Sequence, residues 1–129
     1  MSQIVFIVEK TSTGFSAYAE DFEKYSVGTT GDTLSELKRN IFDAMAAHLE
    51  ALYKKPIKIE RITLKFDLPQ FFGYYKEINA RAVAKRVGIN PSLLSQYVNG
   101  KKIPSDKQVK KILTGIRDLG KELMELDLA

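Results

Sequence analysis

The stretch from Asn79 to Gly100, NARAVAKRVGINPSLLSQYVNG, constrains this 129-residue chain more than any other. Its start and stop signals describe two short helices joined by a tight turn. The Asn79 side chain can accept a backbone N–H from the first turn of a helix. Ala80 to Val87 then turns Val83 and Ala84, with Val87 one turn on, toward a core. Gly88 follows, where a helix end often takes a left-handed conformation that only glycine adopts without steric cost. Ile89 is an apolar plug after the turn. Asn90 caps a second helix, and Pro91 sits at its first position, where the missing N–H costs nothing. Leu93, Leu94 and Tyr97 point one way. Ser92, Ser95, Gln96 and Asn99 are left to point outward, and Gly100 stops the helix. Ala84 is small because two helices crossing over a short turn leave no room for more.

Charge is distributed unevenly around this segment. Residues 1–67 hold 9 Lys+Arg and 10 Asp+Glu, a net −1, whereas residues 68–129 hold 11 and 6, a net +5. From Arg81 to Lys111 the one acid, Asp106, stands against Arg81, Lys85, Arg86, Lys101, Lys102, Lys107, Lys110 and Lys111. That asymmetry points to a polyanionic partner for the second half. A Lys-rich surface is more commonly just solvated, so the charge gains its meaning from the helix pair beside it.

The helix pair resembles the helix-turn-helix of lambda-repressor and Cro-like regulators. The family's small residue falls on Ala84, its turn glycine on Gly88, and its apolar recognition-helix positions on Leu94 and Tyr97, the last departing from the usual aliphatic choice. The resemblance implies a double-stranded DNA partner, with the helix from Pro91 to Asn99 lying in the major groove. Gln96 can bond an adenine edge bidentately, and Ser92 and Ser95 can bond several bases, with Asn99 a further candidate. Lys101 and Lys102, just past the helix, and Arg81, near the start of the first, are expected to grip phosphates. Such contacts position the module without carrying sequence information.

The flanking helices extend this region to roughly residues 69–126. Pro69 suits the first turn of a helix running to about Ile78, with Phe71, Phe72, Tyr74 and Tyr75 supplying core bulk rather than base-stacking platforms. Gly73 within it would permit close approach to a neighbour. Ser105 with Gln108 forms a capping box for a last helix. Its stripe of Val109, Ile112, Leu113, Ile116, Leu119, Leu123 and Leu126 is longer than one small domain covers. The far end packs either within the chain or on a second subunit, and a dimer would read half-sites about one DNA turn, ~34 Å, apart. Gly115 and Gly120 weaken the case for one continuous helix without removing it.

Residues 1–67 read differently. Ile4-Val5-Phe6-Ile7-Val8 is apolar on both alternating faces, which predicts a central strand covered on both sides. Thr11 to Gly14 is turn material, and Phe15 to Ala19 alternates as an antiparallel partner. A third short strand is expected from about Tyr25 to Thr29. Thr33 and Glu36 fit a capping box opening a helix, whose apolar face is Leu34, Leu37, Ile41, Met45, His48 or Leu49, and Leu52. Lys54-Lys55-Pro56 ends it. Ile57 to Asp67 is a final strand whose phase slip calls for a bulge near Glu60 and Arg61.

This β-β-β-α-β order, with IVEKTSTGFSAYA at its start and TTGDTLSEL feeding the helix, is similar to the antitoxin family HicB. There a small sheet-plus-helix domain related to a reduced ribonuclease H fold precedes a DNA-binding domain. The family's frequent Pro-Gly-Cys-type segment is replaced here by Asp21 to Ser26. The resemblance implies an α+β partner-binding domain over 1–67 and an all-α DNA-binding domain over 68–129. It further implies a small RNA-cleaving toxin resembling HicA as partner, repression of the chain's own operon, and a dimer or larger oligomer. The alternative is a stand-alone transcription factor whose N-terminal half only mediates protein contacts.

Other classes are disfavoured by what the residues lack. There is no cysteine for disulfides, thiolate chemistry or zinc. No apolar run approaches the ~20 residues of a membrane span, and the opening QIVFIVEK is no signal peptide, so a cytoplasmic protein is expected. Ribonuclease H-type catalysis needs carboxylates converging on two metal ions. Glu9, Glu20, Asp21, Glu23 and Asp43 are available, but Glu20, Asp21 and Glu23 crowd a turn, Asp43 lies away from the helix's inward stripe, and nothing shows convergence. His48, the single histidine, reads as a packing residue. No enzyme activity, catalytic residue, metal site or cofactor is therefore expected.

Overall fold

A computed structural model describes residues 3–54 and 61–129. The architecture is α+β: among the described residues, a four-stranded sheet with one helix is followed by four helices. The chain divides into two compact units, residues 1–67 and 68–129.

The first unit contains β1 (Ile4–Lys10), β2 (Phe15–Ala19), β3 (Gly28–Gly31), α1 (Leu34–Tyr53) and β4 (Ile62–Lys65). The sheet order is β3-β2-β1-β4. The first three strands form an antiparallel meander, while β4 lies parallel to β1, with Ile4 opposite Ile62 and Phe6 opposite Leu64. A parallel pair cannot be joined by a tight turn; α1 lies between the two strands in the chain and packs on the sheet. Thr33 caps α1 by accepting the Glu36 N–H at 3.1 Å, as the capping-box spacing requires.

One face of β1 is buried, through Ile4, Phe6 and Val8. With Phe15, Ala17 and Ala19 of β2 they pack against Leu37, Ile41, Met45 and Leu49 of α1. Ile62 and Leu64 of β4 join the edge of this core. Central placement of β1 is as expected, but cover on both faces is not. Val5 and Ile7 are only half-buried, because α1 supplies one layer to one side of the sheet. The open side also carries Tyr18, 40 % exposed.

Three further expectations need correction. The third strand starts at Gly28 rather than Tyr25. Residues 21–25 form a turn instead: the Asp21 carboxylate accepts the Lys24 N–H at 3.2 Å, and the Asp21 carbonyl accepts the Tyr25 N–H at 2.9 Å. Tyr25 and Val27 thus enter the core from a loop. Leu52, placed on the inward stripe, is 57 % exposed. A helix of 20 residues is about 30 Å long, while strands of 4 to 7 residues span roughly 13–23 Å, so the strands are too short to cover its whole length. The final strand covers Ile62–Lys65; the expected earlier part, Ile57 to Glu60, lies outside the described residues, as does half of the proposed bulge.

The second unit is all helical: α2 (Leu68–Tyr74), α3 (Ala80–Val87), α4 (Pro91–Val98) and α5 (Asp106–Met124). Its core is Phe72, Val83, Ala84, Ile89, Leu94, Tyr97 and Ile112. Helix α2 stops at Tyr74 rather than near Ile78. The chain must leave the helix there so that Ile78 can turn inward and Asn79 can take the extended backbone (φ −83°, ψ 113°) that caps α3. Phe71 packs edge-on to Phe72 and tilted to Tyr75, the core role expected of these aromatics. Burial raises the Tyr75 phenol above its usual pKa, with Tyr74 and Glu77 adding to it. Gly73 has open space where a Cβ would stand, so no neighbour approaches it closely.

Candidate nucleic-acid interface

Every punctuation mark of the Asn79–Gly100 segment has a counterpart in geometry. Asn79 accepts the Ala82 N–H at 3.0 Å and Asn90 the Ser92 N–H at 2.8 Å. Gly88 is left-handed (φ 74°, ψ 33°), and the N–H groups of Gly88 and Ile89 both donate to the Ala84 carbonyl. That reversal drops Ile89 into the core and starts α4 across α3. Ala84 is fully buried at the crossing, so the small side chain there is a condition of the packing. Tyr97 is buried beside Leu94, and the aromatic departure fits the same core.

With Leu94 and Tyr97 committed inward, the opposite face of α4 is polar. Ser92, Ser95, Gln96 and Asn99 are all exposed, and their i, i+3, i+4, i+7 spacing puts them on one side of the helix. The Asn99 amide donates to Ser95 Oγ at 3.4 Å, which links two of the four. Gln96 anchors the chain that follows, its carbonyl accepting the N–H groups of Lys101 at 2.8 Å and Lys102 at 3.2 Å. Both lysines are exposed just beyond the helix, which Gly100 (φ 74°) terminates.

Arg81 joins from α3. It lines, with Asn79 and Ala80, a hollow of about 690 Å³ whose other wall is Pro91, Ser92, Ser95 and Val98 of α4. The hollow brings Arg81, Ser92 and Ser95 together, while Gln96, Asn99, Lys101 and Lys102 are not part of its lining. Pro91 and Val98 were missed by sequence reasoning as lining residues, since each already had a role as helix starter or apolar filler. The arrangement offers hydrogen-bonding side chains along the exposed face of the α4 helix, with Arg81, Lys101 and Lys102 exposed on the neighbouring segments. A major groove about 12 Å wide admits such a helix.

Helix α5 is capped by Ser105, which accepts the Gln108 N–H at 3.2 Å. It runs as one helix through Gly115 and Gly120, despite the propensity cost of both. Gly115 is buried, and a Cβ there would collide with Val87 of α3, so this glycine permits close packing rather than a break. Ile112 is buried and Ile116 packs beside it. The far end of the stripe, Leu123 and Leu126, is exposed.

The acids considered for catalysis are otherwise engaged or scattered. Glu20 pairs with Lys65 at 3.2 Å, and Asp21 holds its own turn. Among the described residues no group of three or more His, Asp or Glu is placed to hold a metal ion. His48 is half-buried, edge-on to Tyr25, with its Nε2 lacking a hydrogen-bond partner among the described residues. No helix among the described residues is long and apolar enough to cross a membrane.

Residues 76–117, about a third of the chain, match the family described as helix-turn-helix. The matched span begins before the Asn79 cap and ends within α5, so it contains α3, α4 and the lysines beyond them. No curated protein and no solved structure matches the chain. The helix-turn-helix match supports a DNA-binding transcription regulator.

Proposed function

We propose that this chain is a repressor of the antitoxin type. Its second unit reads an operator through α4, and its first unit binds and blocks a small RNA-cleaving toxin. The observation that carries the DNA-reading half is the exposed row Ser92, Ser95, Gln96 and Asn99 on a helix of a helix-turn-helix match. Gln96 reads an adenine edge, the serines and Asn99 adjust the fit, and Arg81, Lys101 and Lys102 hold phosphates. The antitoxin half is supported by the β-β-β-α-β order with β4 parallel to β1. The half-exposed Val5 and Ile7 beside Tyr18 give that unit apolar surface for a protein contact. The role is a binding one without catalysis or cofactor, in the cytoplasm, performed by a dimer or larger homo-oligomer. The same open sheet face also favours a second reading, a stand-alone transcription factor whose first unit only self-associates.

The test is fluorescence-anisotropy binding to the DNA upstream of the protein's own gene and to scrambled DNA across a salt series. A preference for the upstream DNA that Gln96→Ala abolishes, with affinity for scrambled DNA unchanged, is expected. Lys102→Ala should weaken both and flatten the salt dependence by about one phosphate's worth. Equal losses on both DNAs for Gln96→Ala would refute its reading role. Co-expression with the product of any small gene encoded beside it separates the two readings: a stable complex with a small basic protein supports the antitoxin, and none supports the stand-alone factor.

A further inference from the structure

A second cationic feature lies away from the face of α4. Arg86 and Val87 of α3 and Lys107, Lys110, Lys111, Thr114, Gly115 and Asp118 of α5 line a groove of about 610 Å³. It shares no lining residue with the hollow at Arg81. On α3, Arg81 and Arg86 are five positions apart, which at 100° per residue separates them by about 140° around the helix. Two surfaces of one small helix therefore carry two different sets of cations.

The groove is built, not merely charged. Gly115 lacks the Cβ that would meet the Val87 side chain, so α3 and α5 can close tightly beneath the groove. Arg86 is neutralised by Glu122 at 3.2 Å. Among the described residues Lys107, Lys110 and Lys111 have no carboxylate within ion-pair distance. They recur at i, i+3 and i+4, with Thr114 at i+7, along one face of α5. Like charges so placed repel each other, and Lys107, in the first turn, also lies at the positive end of the helix dipole, where a cation is unfavourable. A dense line of negative charge relieves both penalties. From residue 107 to 114 the helix rises about 10.5 Å, a length over which the three lysines can reach neighbouring phosphates of a duplex backbone.

We propose that the α3–α5 groove is a second nucleic-acid contact, gripping the phosphate backbone of a duplex segment that α4 does not read. It rests on the DNA-binding reading above but not on the role of Gln96. The groove supplies affinity without sequence preference and engages DNA that flanks the site read by α4 or belongs to a separate duplex.

The experiment uses the full chain and three variants: Lys107→Gln/Lys110→Gln/Lys111→Gln, the control Lys76→Gln/Arg117→Gln/Lys121→Gln with the same loss of charge, and Gln96→Ala. Anisotropy is read over a salt series on the short upstream site, on that site with random flanks of about two helical turns, and on a scrambled duplex of the longer length. Thermal melts establish that each variant is folded. Wild type should show a steeper salt dependence on the two longer duplexes than on the short one. The groove variant should lose about 2–3 from the log–log slope on the longer duplexes and keep the wild-type preference for the upstream site. The control should lose less than one. A groove variant that behaves like the control overturns the proposal, as does an equal slope loss on the short site, which would make the groove part of the α4 footprint. If wild type shows no upstream preference, the operator reading fails, while the scrambled duplex still decides for or against the groove.

Discussion

Single side chains decide several features here, and Lys54 is the clearest. It closes α1 in the left-handed region (φ 58°, ψ 27°), the one non-glycine residue among those described to do so. An L side chain pays about 1–2 kcal/mol for that conformation, and glycine would avoid it at a smaller entropic cost in the unfolded chain. Lys54→Gly should therefore stabilise the protein by about 0.5–1 kcal/mol, read as a higher urea midpoint. The sequence announced the end of α1 through Lys54-Lys55-Pro56, yet nothing in it says that a lysine would carry the left-handed turn. By contrast Asn79, Gly88, Asn90, Thr33 and Ser105 were readable in advance, because each cap needs a specific atom at a fixed offset and depends on nothing distant.

Elements were readable where period and punctuation agreed, as in α1, α3, α4 and β2. They failed where a distant contact decided. Nothing local tells that Gly115 faces Val87, so a helix breaker and a packing glycine look alike in sequence. The two glycines of α5 give a paired prediction. Gly115→Ala places a methyl into Val87, and the overpacking, about 1–3 kcal/mol, outweighs the gain in helix propensity, about 1 kcal/mol, so the protein should lose stability. Gly120 is exposed with nothing within 4 Å of an added Cβ, so Gly120→Ala should raise stability by about 1 kcal/mol. Urea unfolding of both variants checks the pair. The boundary of β3 was misplaced for a similar reason, since Tyr25 is drawn to the core from a turn and imitates a strand residue. The four polar residues of α4 were identifiable from spacing alone, whereas the α3–α5 groove was not, because Arg86 and Lys107 come together only through the tertiary packing of two helices.

Taken together, the two units differ in how far along the chain their partners lie. The helical unit is assembled from neighbours: α3 packs on α4 and α5, and α2 on α4. The sheet unit cannot be finished until Ile62 reaches Ile4, across α1 and everything between. Closing that span carries a loop-entropy cost that short-range helical contacts avoid, and long-range pairing slows folding. Stopped-flow refolding should show a fast phase that restores most of the helical signal of residues 68–129 and a slower one that tracks the sheet. Changing Ile62 to Ala should slow only the second. A single common rate would mean that the units fold as one. On the ribosome the order of emergence compensates for the order of speed: β4 is made before α2, so the slow pairing has a head start. The strand that completes the sheet is thus synthesised ahead of every helix of the second unit, so its pairing can begin while those helices are still being made.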